Sequence, residues 1–217
     1  MLAVLISGGL DSAILLGDAL RQRRIIHPIF IRCGLAWEAV ELGYLQRYLA
    51  ALRGPNLQPL TTLEQPVTDL LKDHWSVTGQ GVPDADAPDE EVYLPGRNVL
   101  LLGKAMIWCH LHSVPELALG SLQTNPFPDA TPAFFQAFQI VVNQAVQGRV
   151  RLHLPFAGLK KTAVMHLGKG LPLEHTFSCI KPVGDLHCGA CNKCAERKKA
   201  FVDAGMADPT KYQSTAY

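Results

Sequence analysis

No stretch of the 217-residue sequence reaches the roughly 18 consecutive apolar residues of a membrane-spanning helix. Charge of one sign is equally scarce: 20 Lys and Arg against 19 Asp and Glu leave a formal net charge of +1. Chains that grip nucleic acid through its phosphates usually carry a basic face or tail. Here the densest basic runs are residues 21–24 and Arg197-Lys198-Lys199, so a nucleic-acid partner is disfavoured. No lysine lies between Met1 and Leu20, which excludes a kinase-type P-loop there. No internal repeat, low-complexity tract or linker separates two large domains. The apolar N-terminus passes into a first strand rather than a secretory leader, and the expected compartment is the cytoplasm. With 48% hydrophobic residues, the chain has apolar material for one compact domain and a small appendage.

The most informative segment present is Ser7-Gly8-Gly9-Leu10-Asp11-Ser12, set between the apolar run Leu2-Ala3-Val4-Leu5-Ile6 and a helix-like run over residues 12–20. Strand, glycine turn and helix start in that order point backbone N–H groups inward beside a helix N-terminus, which favours an anionic phosphate. Ser7 and Ser12 add hydroxyls. The Asp11 carboxylate would repel a bare phosphate and makes sense when a magnesium ion lies between the two. The ligand read from this segment is therefore a magnesium-bound nucleotide, held by Ile6, Ser7, Gly8, Gly9, Leu10, Asp11 and Ser12. The plainer alternative is a tight turn with Ser12 as helix cap and Asp11 as first-turn charge.

Four of the six cysteines, Cys179, Cys188, Cys191 and Cys194, form two overlapping C-x-x-C steps with one member upstream. Tetrahedral zinc accepts four thiolates, and this spacing lets consecutive cysteines meet one ion around the turn at Gly189. Two disulfides are disfavoured without a secretion signal. An iron–sulfur cluster is the stronger rival, because C-x-x-C-x-x-C is also cluster spacing. Cys33 and Cys109 read as core residues, Cys33 being the better placed to border a site.

Strand-like and helix-like segments alternate, as a doubly wound, mostly parallel α/β sheet requires. Strands are expected at residues 2–6, 25–31, 57–62, 117–119 and 150–154, and helices at 12–20, 37–52, 99–112, 132–146 and 162–167. Residues 65–91 read as a loop, with the acidic stretch 81–91 exposed and able to order on substrate binding. The α/β domain is assigned to residues 1–170 and a small zinc-binding helical subdomain to 171–217.

Between the first strand and the cysteines, several polar groups ask for a partner. Pro95-Gly96-Arg97-Asn98 puts a cation just before a helix, where the dipole opposes it unless something negative is near, such as ATP phosphate or a substrate carboxylate. Lys160 or Lys161 can reach a phosphate from the start of its helix. Asn125-Pro126-Phe127-Pro128-Asp129 is a rigid loop after a strand end, where ligands of parallel sheets collect. Its Phe127 suits stacking on a flat heterocycle or closing the core.

The segment Ser7 to Ser12 resembles the PP-loop of the N-type ATP pyrophosphatases, which cleave ATP between its α and β phosphates. Over almost the whole chain the sequence is similar to one branch of that group, the 7-cyano-7-deazaguanine synthases of the queuosine pathway, often called QueC. Pro95 to Asn98 matches the family's Pro-Gly-Arg-Asn element, Pro128-Asp129 part of its substrate loop, Lys161 its lysine, and Thr176-Phe177-Ser178-Cys179 with the three later cysteines its zinc pattern. The resemblance implies a Rossmann-like PP-loop fold and an ATP-dependent ligase. Such an enzyme takes 7-carboxy-7-deazaguanine, ammonia and ATP to a nitrile through adenylated intermediates, with Mg2+ and Zn2+, as a homodimer. It further implies Asp11, Arg97 and Lys161 as catalytic residues, and Gly34, Arg97, Asn98, Phe127 and Asp129 as substrate contacts.

The chain departs from that family where substrate is read. The family's Tyr-Gly-Gln-Arg-His is here Cys33-Gly34-Leu35-Ala36-Trp37, the acid-Tyr-Ser-Gly is Gln123-Thr124-Asn125-Pro126, and the arginine two residues past the aspartate is Thr131. A changed set of polar groups suits a changed acceptor. Adenylation of another metabolite, a protein or a tRNA base, and nucleotide binding without turnover, therefore stand beside the synthase reading.

Overall fold

The protein is described here from a computed structural model covering residues 1–213; residues 214–217, the end of the 171–217 unit, lie outside the described residues. In chain order the elements are β1 (Leu2–Leu5), α1 (Leu10–Arg21), β2 (Ile26–Arg32), α2 (Glu38–Ala51), β3 (Thr61–Glu64), α3 (Thr68–Leu71), α4 (Trp75–Thr78), α5 (Arg97–Leu111), β4 (Glu116–Ala118), α6 (Pro132–Val146), β5 (Arg151–His153), α7 (Lys161–Leu167) and α8 (Asn192–Asp203). The five strands form one parallel sheet in the order β3-β2-β1-β4-β5, with Ala3 paired to His27 on one side and to Leu117 on the other. The order reverses between β1 and β4, and ligands of such sheets bind beyond the carboxyl ends of the strands at that reversal.

β1 reads as unbroken apolar sequence because both its faces are covered. Ala3 joins Ile29, Ile31 and Leu117 in a core closed by Leu102, Ala105 and Met106 of α5. Leu2, Val4, Ile26 and Phe30 join a second core closed by Ile14 and Leu16 of α1 and Val164 and Met165 of α7. The four clustered cysteines pack into the first core, while Ala200 and Phe201 of α8 pack into the second. Among the described residues no helix is long and apolar enough to cross a membrane.

Three segments differ from their sequence reading. The third strand begins at Thr61 rather than at residue 57; Leu57 makes only an isolated bridge to Ile26, and Pro59 then has no N–H to continue a ladder. The helix expected to be buried over 99–112 runs Arg97–Leu111 and buries one stripe only, leaving Val99, Ile107 and Leu111 exposed. Residues 65–91 contain α3, α4 and a 3-10 turn at Asp89–Val92, and the acidic stretch is tied down from far along the chain. Asn192 donates its backbone N–H to Pro83 O at 3.1 Å and its side-chain amide to Ala87 O at 2.8 Å.

Candidate active site

The glycine turn after β1 is held by its own hydroxyls. Ser7 N–H donates to Ser12 Oγ, Gly9 N–H to Ser7 Oγ, and Ser12 Oγ–H to Gly9 O, each at 3.2 Å. Gly8 sits at φ +90°, a conformation that side chains rarely tolerate, and its carbonyl accepts from Phe177 N–H at 2.8 Å. α1 starts at once, so its N-terminal amides and dipole face the same space.

A cleft of about 390 Å³ opens there. Ile6, Ser7, Gly9, Leu10, Asp11 and Ser12 line it, and the structure brings Arg97, Asn98, Phe127, Asp129 and Lys161 to the same space. Two of the residues read from the sequence as ligand contacts are not among those lining the cleft. Gly8 shapes the glycine turn and gives its carbonyl to Phe177, and Gly34, at φ +77°, shapes the turn after β2 and donates its N–H to Glu38 at 2.9 Å.

Lys161, first residue of α7, places its Nζ 2.9 and 2.8 Å from the two Asp11 carboxylate oxygens. Glu196 lies 3.8 Å from the same Nζ and 2.7 Å from Lys193. A single carboxylate beside hydroxyls and a helix N-terminus fits a hard cation that keeps most of its ligands as phosphate oxygens and water. At the other end, Gly96 in the left-handed region starts α5, and Arg97 stands at its first turn. Asp129 braces this helix start: buried, it accepts Asn98 N–H at 3.0 Å, and its backbone carbonyl accepts the Asn98 side-chain amide at 3.0 Å. Thr131, where the resemblance led one to expect arginine, caps α6 by accepting Phe134 N–H at 3.1 Å.

Trp75, Tyr93 and Glu41 also line the cleft and were not singled out from the sequence. Trp37 stacks with Trp75 at 5.7 Å and Tyr93 with Phe127 at 4.9 Å, all four lining the cleft; Phe127 also packs on the core. Glu41 lines it one turn after Trp37, a same-face spacing legible in a helix. Burial pushes the Glu41 carboxyl up to about 8, against the pull of Arg97 and with a smaller push from Glu38. The folded protein thus holds a proton that the unfolded chain releases near pH 4.5. The stability this proton contributes is fully present below that pH and is lost as pH rises to about 8. Glu41→Gln should remove the loss, so that in melts between pH 5 and pH 8 the variant gains steadily on the parent.

Arg197, three residues after Cys194 on α8, is 1% exposed and donates to Thr210 Oγ1 (2.6 Å), Ser178 Oγ (3.2 Å) and Leu173 O (3.1 Å). It thereby fixes the Thr176-Phe177-Ser178 segment that meets the glycine turn. Gly120, after β4, matters for space: a Cβ there would lie 3.1 Å from the Asp11 backbone. Gly120→Ala should push the start of α1 out of line and lower turnover about 10- to 100-fold with the fold retained, measurable as the rate of AMP release.

The four cysteine sulfurs lie within 4.8 Å of one another, with Cys179 to Cys191 and Cys188 to Cys194 both 3.9 Å apart. Lys181 and Cys188 N–H groups point at Cys179 Sγ at 3.3 Å, and Ala190 N–H at Cys188 Sγ at 3.4 Å. Cys191 caps α8 and Cys194 lies in its first turn, where the helix N-terminus favours thiolates. The donor set fits one thiophilic metal ion.

A parallel sheet carrying a hydroxyl-braced Ser-Gly-Gly-Leu-Asp-Ser turn at its reversal point defines a PP-loop protein. A 4-thiouridine synthetase solved with RNA and bound ATP shares the fold, with a TM-score of 0.50 over 94% of this chain and 50% of that one at 16% identity. The sequence matches the family described as queuosine biosynthesis protein QueC over residues 2–205. It is 32% identical to the 7-cyano-7-deazaguanine synthase of Solidesulfovibrio magneticus, covering 97% of this chain and 94% of that protein. To the enzyme of the same name from Methylococcus capsulatus it is 31% identical, over 97% and 98%. The chain belongs to the QueC family.

Proposed function

We propose that this protein is a cytoplasmic, homodimeric ligase that converts 7-carboxy-7-deazaguanine and ammonia to the nitrile 7-cyano-7-deazaguanine, consuming ATP with Mg2+. The observation that carries the reading is the meeting of the glycine turn and Asp11 with Arg97, Asn98, Phe127, Asp129 and Lys161 in one cleft. The synthase names of the relatives and the family support the same acceptor.

The Ser7 to Ser12 amides and hydroxyls bind phosphate oxygens, and Asp11 would hold Mg2+, which would supply positive charge to the departing pyrophosphate. A carboxylate oxygen of the substrate, oriented by Arg97, attacks the α-phosphorus and pyrophosphate leaves. Ammonia then adds to the acyl carbon, AMP leaves with one oxygen of the carboxylate, and a proton passes to solvent. The amide oxygen attacks the α-phosphorus of a second ATP and pyrophosphate leaves; loss of AMP and of both protons from nitrogen then gives the nitrile. Lys161 follows the negative charge between Asp11 and the pyrophosphate, and Glu196 stands ready beside it.

Residues 171–213, the described part of the C-terminal unit, form the zinc-binding subdomain. Bonds of about 2.3 Å in a tetrahedron put sulfurs about 3.8 Å apart, which agrees with the 3.9 Å separations of both cysteine pairs. A cubane cluster distributes its thiolates over several irons and spreads them farther. With four thiolates and no open position, the zinc is structural. Exposed Ile107 and Leu111 on α5 and Ile140 and Val141 on α6 supply apolar surface for the homodimer.

One observation favours a second acceptor: Leu35 and Trp37, in place of the family's polar residues, are buried rather than free to bond substrate. Mass spectrometry of purified protein with ATP, magnesium, ammonium and 7-carboxy-7-deazaguanine decides. Nitrile with AMP is the expected product pair, whereas no AMP and no deazapurine product from folded, metal-bound protein would refute the proposal.

A further inference from the structure

Glu41 is 8% exposed, yet its carboxylate borders the cleft and no side chain among the described residues bonds it. Its neighbour on α2, Glu38, is by contrast fully employed: it accepts the N–H groups of Cys33 and Gly34 and pairs with Arg32. A buried carboxylate without donors is costly. The positive charge of Arg97 acts on Glu41, but the two form no ion pair among the described residues. Arg97 Nε is itself buried without a partner. An acceptor and a donor without partners thus belong to two residues that line one cleft.

Flat rings line the same cleft: Trp37, one helical turn before Glu41, stacks with Trp75, and Tyr93 stacks with Phe127. Glu41 also adjoins the phosphate end, because a Cβ on Gly8 would lie 3.5 Å from Glu41 Cγ. A carboxylate pairs best with two N–H donors on one edge. Guanine-type heterocycles offer that edge, with a carbonyl oxygen beside it, whereas adenine offers one donor and one acceptor.

We propose that Glu41 is the specificity residue of the acceptor site: it takes the ring N–H and the 2-amino group of a 2-amino-4-oxopyrimidine-fused heterocycle, while Arg97 takes the adjacent carbonyl or carboxylate oxygen. This deepens the acceptor reading given above and rests on it. The phosphates belong to the glycine turn, Asp11 and Lys161, so the two halves of the cleft read different partners. Since burial keeps the Glu41 carboxyl protonated at neutral pH with only Arg97 and Glu38 as charged neighbours of note, capture of the two donors releases a proton to buffer.

The test is calorimetry at pH 7 with 7-carboxy-7-deazaguanine and its analogue lacking the 2-amino group, on the full chain and on Glu41→Gln and Glu41→Ala. The parent should prefer the 2-amino ligand by about 10- to 100-fold and release protons on binding it, seen as a heat that depends on the buffer. Both variants should bind the two ligands about equally and release no proton, while their affinity for ATP stays within about twofold of the parent. Neither should melt earlier, because the change removes an unbonded buried carboxyl. Retained preference in the variants, or an equal loss of ATP affinity, would overturn the assignment. If the parent binds neither deazapurine, the acceptor reading fails, and guanine against hypoxanthine then tests Glu41 alone: the same loss of preference in the variants supports its role, and no preference in the parent refutes it.

Discussion

Asp11→Asn is expected to lower ATP-dependent AMP formation by two to three orders of magnitude, about the cost of removing one group that stabilises developing charge, with little change in melting temperature. The carboxylate is the acidic group of the glycine turn and the partner of Lys161. Asparagine keeps its size and its place in the first turn of α1 but cannot hold a divalent cation against phosphate. The stability cost is small because the pair is partly open to solvent, with side chains 22% and 27% exposed, and such pairs contribute about 1 kcal/mol or less. Lys161 also retains Glu196 nearby. Single-turnover assays paired with thermal melts separate the two effects. A variant that melts far earlier, or one that still forms AMP at near-parental rate, would remove Asp11 from the mechanism.

Cys191→Ser carries the second large effect: loss of bound metal together with loss of folded, soluble protein. Zinc binding by four thiolates contributes on the order of 10 kcal/mol to folding in small knots, comparable with the whole stability of a domain. The position is also structural for the cleft. Cys191 starts α8, whose Arg197 holds Ser178 and whose Lys193 and Glu196 line the cleft, while Asn192 holds Pro83 and Ala87. Metal content by atomic spectroscopy, read beside circular dichroism, checks this, and a strong chelator should act in the same direction. A metal-free variant with an intact fold and a selective loss of turnover would contradict the structural role.

Features written in consecutive residues were the ones legible in the sequence. The turn from Ser7 to Ser12 has its geometry in its own glycines and hydroxyls, and the cysteine spacing closes around Gly189 as a local loop. The helix over Pro132–Val146 has its expected bounds because Thr131 and Pro132 mark its start. What escaped depends on contacts between distant positions. Residues 81–91 look like free acidic loop until Asn192, about a hundred residues later, binds their backbone. Glu41 looks like helix-surface charge, and only the fold, which brings the glycine turn at Gly8 against it, makes it a buried cleft residue. Arg197 reads as one more cation in a basic run, yet it is buried beneath the segment that fastens the glycine turn. Gly34 is the converse case: it survives from the family pattern, but as the turn that Glu38 braces.

The central claim is that an oxygen of the acceptor's carboxylate attacks the α-phosphorus of ATP above the glycine turn. It is tested most directly by supplying 7-carboxy-7-deazaguanine with both carboxylate oxygens as 18O and weighing the AMP. The account predicts 18O in the AMP released at both steps, none in pyrophosphate, and a nitrile free of label. Unlabelled AMP, or label in the pyrophosphate, would contradict it.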